Sequence, residues 1–170
     1  MRKDCPLALS ILFMSDQSLP RISLGTDHAG FHYKEAVRKM LESLGYPILD
    51  KGAFSDESSD YANFVIPAAR AVASGECQYG VVFGGSGNGE AMAANKVKGI
   101  RCAVCWNNWT AQMAREHNDA NVISIGARTV SEAQALEIVQ TWLNGTFEGG
   151  RHLRRINLIE DPDLLGNSGI

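Results

Sequence analysis

The chain has 170 residues, of which 45% are hydrophobic and 21% charged, with a formal net charge of −3. This is an ordinary soluble globular composition. A balance so near neutral is no footprint for nucleic acid or a membrane surface, and no apolar run reaches the roughly 20 residues that span a bilayer.

Residues 1–20, "MRKDCPLALSILFMSDQSLP", read as a disordered extension or as an upstream start with Met14 the initiator. The apolar stretch Pro6–Met14 is short, holds Pro6 and Ser10, and has no small-residue cleavage site, so an export signal is disfavoured. From there strands and helices alternate. "RISLGTD" (21–27) is a short apolar run ending in a turn, and "HYKEAVRKMLESLG" (32–45) has helical periodicity with Val37, Met40, Leu41 and Leu44 on one face and Gly45 as its stop. "YPILDKG" is a second strand. "DYANFVIPAARAVASGE" (60–76) is a helix with Asp60 expected at its N-cap and Pro67 expected to kink it or shift its start.

"YGVVFGG" is a continuous apolar strand, as expected of one buried on both faces. A short helix from about residue 90 follows. "IRCAVCW" is strand four, Asn107–Asp119 a helix, "NVISIGA" strand five, and Ser131–Gly145 a capped helix. "GGRHLRRINLIED" is a final basic helix, and residues 160–170 are a loose tail. Strands alternating with helices predict βαβ units, with a parallel sheet covered by helices on both faces. Ligands then bind beyond the carboxyl ends of the strands. That rule gathers "GTDHAG", "GGSGNGE", "WNN" and "GAR" along one edge.

Four cysteines are present, and Cys102 and Cys105 form a C-x-x-C. Positions three apart on a strand point to opposite faces, and no second ligand pair lies near, so neither a metal site nor a redox pair is expected. A reduced, cytoplasmic protein is the reading.

The loop "GGSGNGE" places Gly84, Gly85, Gly87 and Gly89 around Ser86 and Asn88, and ends in Glu90. Gly85, Gly87 and Gly89 fail the dinucleotide spacing by one position. Gly84 and Gly89 match the P-loop spacing, but Glu90 and Ala91 stand where it needs lysine and a hydroxyl. The loop amides can instead hold a developing oxyanion, with Glu90 as the base removing a proton alpha to a carbonyl. The bland alternative is a solvated first-turn glutamate favoured by the helix dipole. The dipole lowers its basicity and burial raises it, and from the sequence either can prevail.

Asp27 and His28 follow strand one, where Asp27 is either a ligand or an N-cap. His117 ends a helix, a position that suits imidazolium; alternatively it is a capping histidine, with Asn118 in the left-handed position. His32 reads as a surface residue. Arg151 and Arg155, an i, i+4 pair, and Arg128 at the end of strand five are candidate phosphate ligands.

Together, "GTDHAGF", "DKGAFS…SDYANF", "GGSGNGEAMAANKVKGIRCAV", "AREHNDANVISIGAR" and "FEGGRHLRRI" resemble the type B ribose-5-phosphate isomerases, a family that includes the galactose-6-phosphate isomerase subunits. The likeness runs from residue 21 to 159. It implies a Rossmann-like αβα sandwich with a five-stranded parallel sheet and a C-terminal basic helix. It also implies a homodimer or dimer of dimers with composite sites, and interconversion of ribose 5-phosphate and ribulose 5-phosphate in the pentose phosphate pathway without metal or cofactor. One branch of the family carries a cysteine base in the loop; Ser86 and Glu90 resemble the glutamate branch. By that resemblance Glu90 accepts the proton and His117 is the acid of ring opening, with Asp27 assisting. Asp27, His28, Gly85, Ser86, Gly87, Asn88, Gly89, Asn118, Arg128, Arg151 and Arg155 bind substrate. The competing readings are a six-carbon aldose-phosphate isomerase, a non-catalytic sugar-phosphate-binding module and, more weakly, a nucleotide-binding regulator.

Overall fold

The computed structural model describes residues 18–161, 163 and 164; residues 1–17 of the expected N-terminal extension and most of the expected tail lie outside the described residues, while Glu160 of that tail belongs to the last helix. Five parallel strands, β1 (Ile22–Thr26), β2 (Ile48–Asp50), β3 (Tyr79–Gly84), β4 (Cys102–Val104) and β5 (Val122–Gly126), form one sheet in the order β2-β1-β3-β5-β4. Six α-helices connect or flank them: α1 (Phe31–Ser43), α2 (Ala62–Ala73), α3 (Asn88–Ala94), α4 (Asn108–Asn118), α5 (Glu132–Asn144) and α6 (Arg151–Glu160). The central strands β1 and β5 are buried along their whole length, whereas the three-residue edge strands β2 and β4 are half-buried. That is the burial their apolar runs anticipate.

Alternation along each strand feeds two cores. Ile22, Leu24, Val81, Phe83, Ile123 and Ile125 face one layer, where they meet Val37 and Leu41 of α1, Ala111 and Ala114 of α4, and Ile138, Val139 and Trp142 of α5. Val82 and Val122 face the other, against Val65, Ala68, Ala69 and Val72 of α2 and Ala94 of α3. The C-x-x-C divides the same way: Cys105 belongs to the first core and Cys102 packs on the second. Both are free thiols, and burial raises both above the ordinary thiol range.

The helix ends follow local chemistry, with two departures from expectation. Asn107 and Ser131 make capping boxes with Thr110 and Gln134, and Gly45 ends α1 at φ 87°. Asp60, however, does not cap α2: Tyr61 is its N-cap, with no side-chain bond, and the Asp60 carbonyl accepts the Asn63 N–H instead. The helix runs unbroken through Pro67. The left-handed residue after α4 is Asp119 (φ 43°), not Asn118, which stays in the helix.

Trp142 anchors the larger core. It is fully buried, donates from Nε1 to Ala120 O at 3.2 Å, and packs edge-on against Tyr79 with ring centroids 5.2 Å apart. Trp142→Phe keeps most of the apolar volume but leaves the Ala120 carbonyl without its donor. It is expected to cost about 1–3 kcal/mol in urea unfolding at fixed protein concentration, with the m-value unchanged.

Candidate active site

The order in which strands are added reverses between β1 and β3: β1 leads outward to β2, and β3 leads to the other half of the sheet. In open parallel sheets such a switch point opens a crevice at the carboxyl edge. Asp27 stands on one side of it. Its Oδ1 accepts from the N–H groups of Ala29 (2.9 Å) and Gly30 (3.3 Å), capping a single 3₁₀ turn, His28–Gly30. Asp27 is therefore an N-cap, and a buried one facing the crevice. The Ser59 N–H points at His28 Nδ1, 3.2 Å away, and orients that ring.

The glycine loop forms the other side. Gly87 is left-handed at φ 82° and starts α3 at Asn88, two residues before the expected Glu90. Its carbonyl accepts from Ser124 Oγ at 2.7 Å, while the Gly84 and Gly85 carbonyls accept from the N–H groups of Ala127 (2.9 Å) and Arg128 (3.0 Å). The loop is thus fastened to the end of β5 along its length. The Arg128 guanidinium lies beside Gly85, and the Tyr61 ring lies against Gly89. Ser86 Oγ accepts from the Asn88 N–H at 3.3 Å.

Glu90 folds back over this loop. A Cβ at Gly84 would overlap its carboxylate, so only glycine at the end of β3 admits it. Glu90 is 4% exposed, which overturns the solvated-glutamate alternative. Its Oε2 has no hydrogen-bond partner and, with Ser59 Oγ, is one of two such buried side-chain atoms among the described residues. Burial pushes the carboxyl above the ordinary glutamate range and the Asp27 carboxylate adds to this; the N–H groups of Glu90 itself and Gly87 pull the other way. Desolvation therefore outweighs the helix terminus. A buried carboxylate with a raised pKa, in a crevice and without an ion-pair partner, is poised to take up a proton.

The remaining candidates lie elsewhere in the chain. α4 starts at the carboxyl edge and runs back antiparallel to the strands, so His117 and Asn118 at its end stand at the amino edge, beside the start of β4. Arg151 and Arg155 are exposed on α6, which packs against α4. His117 stacks on buried His152, with centroids 4.2 Å apart and planes at 11°. Glu148 Oε2 is 3.9 Å from His117 Nε2 and 3.4 Å from His152 Nε2, and Arg151 Nε donates to His152 Nε2 at 3.3 Å. Burial and then the neighbouring His117 and Arg151 lower the His152 pKa. Near-parallel rings cannot both aim an in-plane lone pair at one point, so this trio is built for stacking and charge pairing more than for holding a cation.

One chain therefore assembles Asp27, His28, Gly85, Ser86, Gly87, Asn88, Gly89, Glu90 and Arg128 at one edge, and His117, Asn118, Arg151 and Arg155 at the other. Sequence reasoning passed over Tyr61, Ser124, Glu148 and His152. Ser124 had a legible signal, a lone hydroxyl inside an apolar strand. The others acquire partners only through tertiary contacts.

The doubly wound αβα architecture, with a glycine loop at its switch point, defines a class of small-ligand α/β proteins. The family described as Ribose/Galactose Isomerase matches residues 22–159. The chain is 46% identical over 143 residues to ribose-5-phosphate isomerase B of Mycolicibacterium paratuberculosis, covering 83% of this chain and 90% of that one. It is 41% identical over 141 residues to the Escherichia coli K12 protein of the same name, covering 83% and 95%. Ribose-5-phosphate isomerase B of Clostridium thermocellum superposes with a TM-score of 0.83 at 45% identity, covering 86% of this chain and 99% of that one. The Mycoplasma genitalium enzyme with bound ribulose-5-phosphate gives 0.80 at 34% identity, covering 84% and 95%. The chain belongs to the ribose/galactose isomerase family.

The raised Glu90 pKa links pH to stability. The folded state holds this proton more tightly than the unfolded chain, so stability falls as pH rises from the ordinary glutamate value of 4.5 through the raised folded value. Glu90→Gln removes that cost. The variant is expected to melt above the wild type at neutral pH, with the difference closing below about pH 4.5, as read by thermal scans across pH.

Proposed function

We propose that this chain is an aldose–ketose isomerase that interconverts D-ribose 5-phosphate and D-ribulose 5-phosphate. The observation that carries the reading is the buried Glu90 carboxylate, folded onto the glycine loop with its Oε2 unpartnered. In the open-chain sugar, Glu90 takes the proton from C2. Electron density moves onto the C1 carbonyl oxygen, giving a cis-enediolate held by the loop amides of Gly85–Gly89, with Ser86 beside the reacting oxygens. The O2 hydroxyl proton passes to O1, and return of the Glu90 proton to C1 then leaves the carbonyl at C2 and completes the ketose. The proton shuttles within one substrate, so neither a metal nor a redox cofactor is needed. Relatives named ribose-5-phosphate isomerase B, at 41–46% identity, support the substrate, as does the family member solved with ribulose-5-phosphate.

His117 is the proposed acid of furanose opening, assisted by Asp27. Arg128, Arg151 and Arg155 bind the phosphate, and His28 and Asn118 bind the sugar. Because His117, Asn118, Arg151 and Arg155 stand at the amino edge, they complete the site from a second copy of the chain in a homodimer or a dimer of dimers. Trp106, Trp109 and Met92, all exposed beside the carboxyl edge, supply apolar surface for that contact. Free thiols at Cys77, Cys102 and Cys105 and a pentose-phosphate substrate fit a role in the cytoplasm, in the non-oxidative pentose phosphate pathway. Among the described residues no helix is long and apolar enough to cross a membrane.

Turnover of ribose 5-phosphate is expected to persist with a chelator present. Glu90→Gln is expected to lower kcat by about 10²–10⁴ while leaving KM nearly unchanged, as for a group acting mainly in the transition state. The acid limb of the wild-type kcat profile is expected above 4.5, where the raised Glu90 carboxyl takes up its proton. A wild type inert toward ribose 5-phosphate, or a fully active Glu90→Gln, overturns the reading. Parallel rates on six-carbon aldose phosphates decide the sugar length.

A further inference from the structure

Arg101, the residue before β4, spends its whole guanidinium on one junction. Nε donates to Asn118 O at 3.0 Å, Nη2 to Asp119 O at 2.8 Å and to Asp119 Oδ2 at 3.3 Å, and Nη1 to Glu160 Oε1 at 2.7 Å. The two carbonyls close α4, where the last C=O groups have no intrahelical donor. Glu160 is the final residue of α6. One side chain thus joins the start of β4, the end of α4 and the end of α6.

Its own placement is secured as well. The Arg101 N–H donates to Asn121 Oδ1 at 2.9 Å, and Asn121 Nδ2 donates to Gly99 O at 2.8 Å. The turn it grips is strained. Asp119 is the one non-glycine residue with positive φ among the described residues, a conformation that persists when surroundings over-determine it. Arg101 on Oδ2 and Arg115 on Oδ1 hold that carboxylate from two sides. His117 and Asn118 immediately precede the turn, and His152 on α6 stacks on His117 there, with Arg151 Nε donating to His152 Nε2. A planar fork reaching four acceptor atoms on three residues has no lysine equivalent.

We infer that Arg101 is a positioning residue for the half of the site formed by His117, Asn118, Arg151 and Arg155: it sets the end of α4 against α6, and so sets the acid at a fixed place relative to the phosphate-binding arginines. The inference deepens the proposed isomerase reading and rests on its division of each site between two chains. Arg101 touches no substrate and acts through the residues it holds.

The first test is kinetic. Arg101→Met is expected to raise KM for ribose 5-phosphate about tenfold and to lower kcat, and Arg101→Lys to recover only part of the loss. Glu160→Gln, at a solvent-facing helix end, weakens a single arm and is expected to raise KM without moving Tm; it carries the test if Arg101→Met does not fold. A role confined to stability would lower Tm and leave KM and kcat per folded molecule unchanged, which overturns the inference.

The second test is complementation between subunits. In a symmetric dimer with composite sites, chains defective in opposite halves restore one intact site per heterodimer, about a quarter of wild-type activity on random pairing. Co-expressed Glu90→Gln and His117→Asn chains are the control. Arg101→Met is expected to regain activity with Glu90→Gln and none with His117→Asn. Recovery with His117→Asn, or with neither partner while the control recovers, overturns the inference. If the control itself fails, the division of the site between chains is wrong, and the inference falls with it.

Discussion

Parallel pairing imposes the constraint on which the rest of this molecule depends. Each strand must be followed by a helix that returns the chain to the starting edge. Residues just after a strand and residues at the end of the next helix therefore face opposite edges of the sheet. Asp27, the glycine loop and Arg128 obey the first rule, and His117 and Asn118 obey the second. Within one chain the two sets stay apart, because no local rearrangement carries the end of α4 along the length of the strands to the glycine loop.

At the carboxyl edge, the governing balance is between helix dipole and desolvation. A glutamate in the first turn of a helix is ordinarily stabilised as the anion. Here the missing side chain at Gly84 lets the carboxylate turn inward over β3, and the loss of water outweighs what the loop amides return. The fold bears a stability cost in order to hold a carboxylate of raised basicity. Ser124 serves the same end: it ties Gly87 to β5, and with it the loop beneath Glu90.

The amino edge works by different physics. Apart from buried His152, its groups are exposed or half-exposed, and they are held by a mesh of charge-assisted hydrogen bonds. Arg101, Arg115, Asp119 and Glu160 lock the junction of α4 and α6. The stacked His117–His152 pair, with Glu148 and Arg151 beside it, sits on top of that junction. Burial sets the electrostatics at one edge, and hydrogen-bonded placement sets the geometry at the other.

Much of this was legible before any fold was known, because it rests on short-range regularities. The apolar runs of β1, β3 and β5, the caps at Asn107 and Ser131, the stop at Gly45 and the failure of the nucleotide spacings are all properties of neighbours in the chain. Alternation alone sent Cys102 and Cys105 to opposite faces. Local signals misled where two residues competed for one role, as at Asp60 and Tyr61 for the start of α2, and at Asn118 and Asp119 for its left-handed turn at the end of α4. What the sequence determined by itself was thus the order of the elements, the edge on which the glycine loop sits and the acidic residue that ends it. Whether Glu90 is solvated or buried, which groups surround His117, and that these two stand on opposite edges of one chain were decided only by the tertiary structure. Solvation and electrostatic environment depend on residues that are distant in sequence and meet only when the sheet is covered.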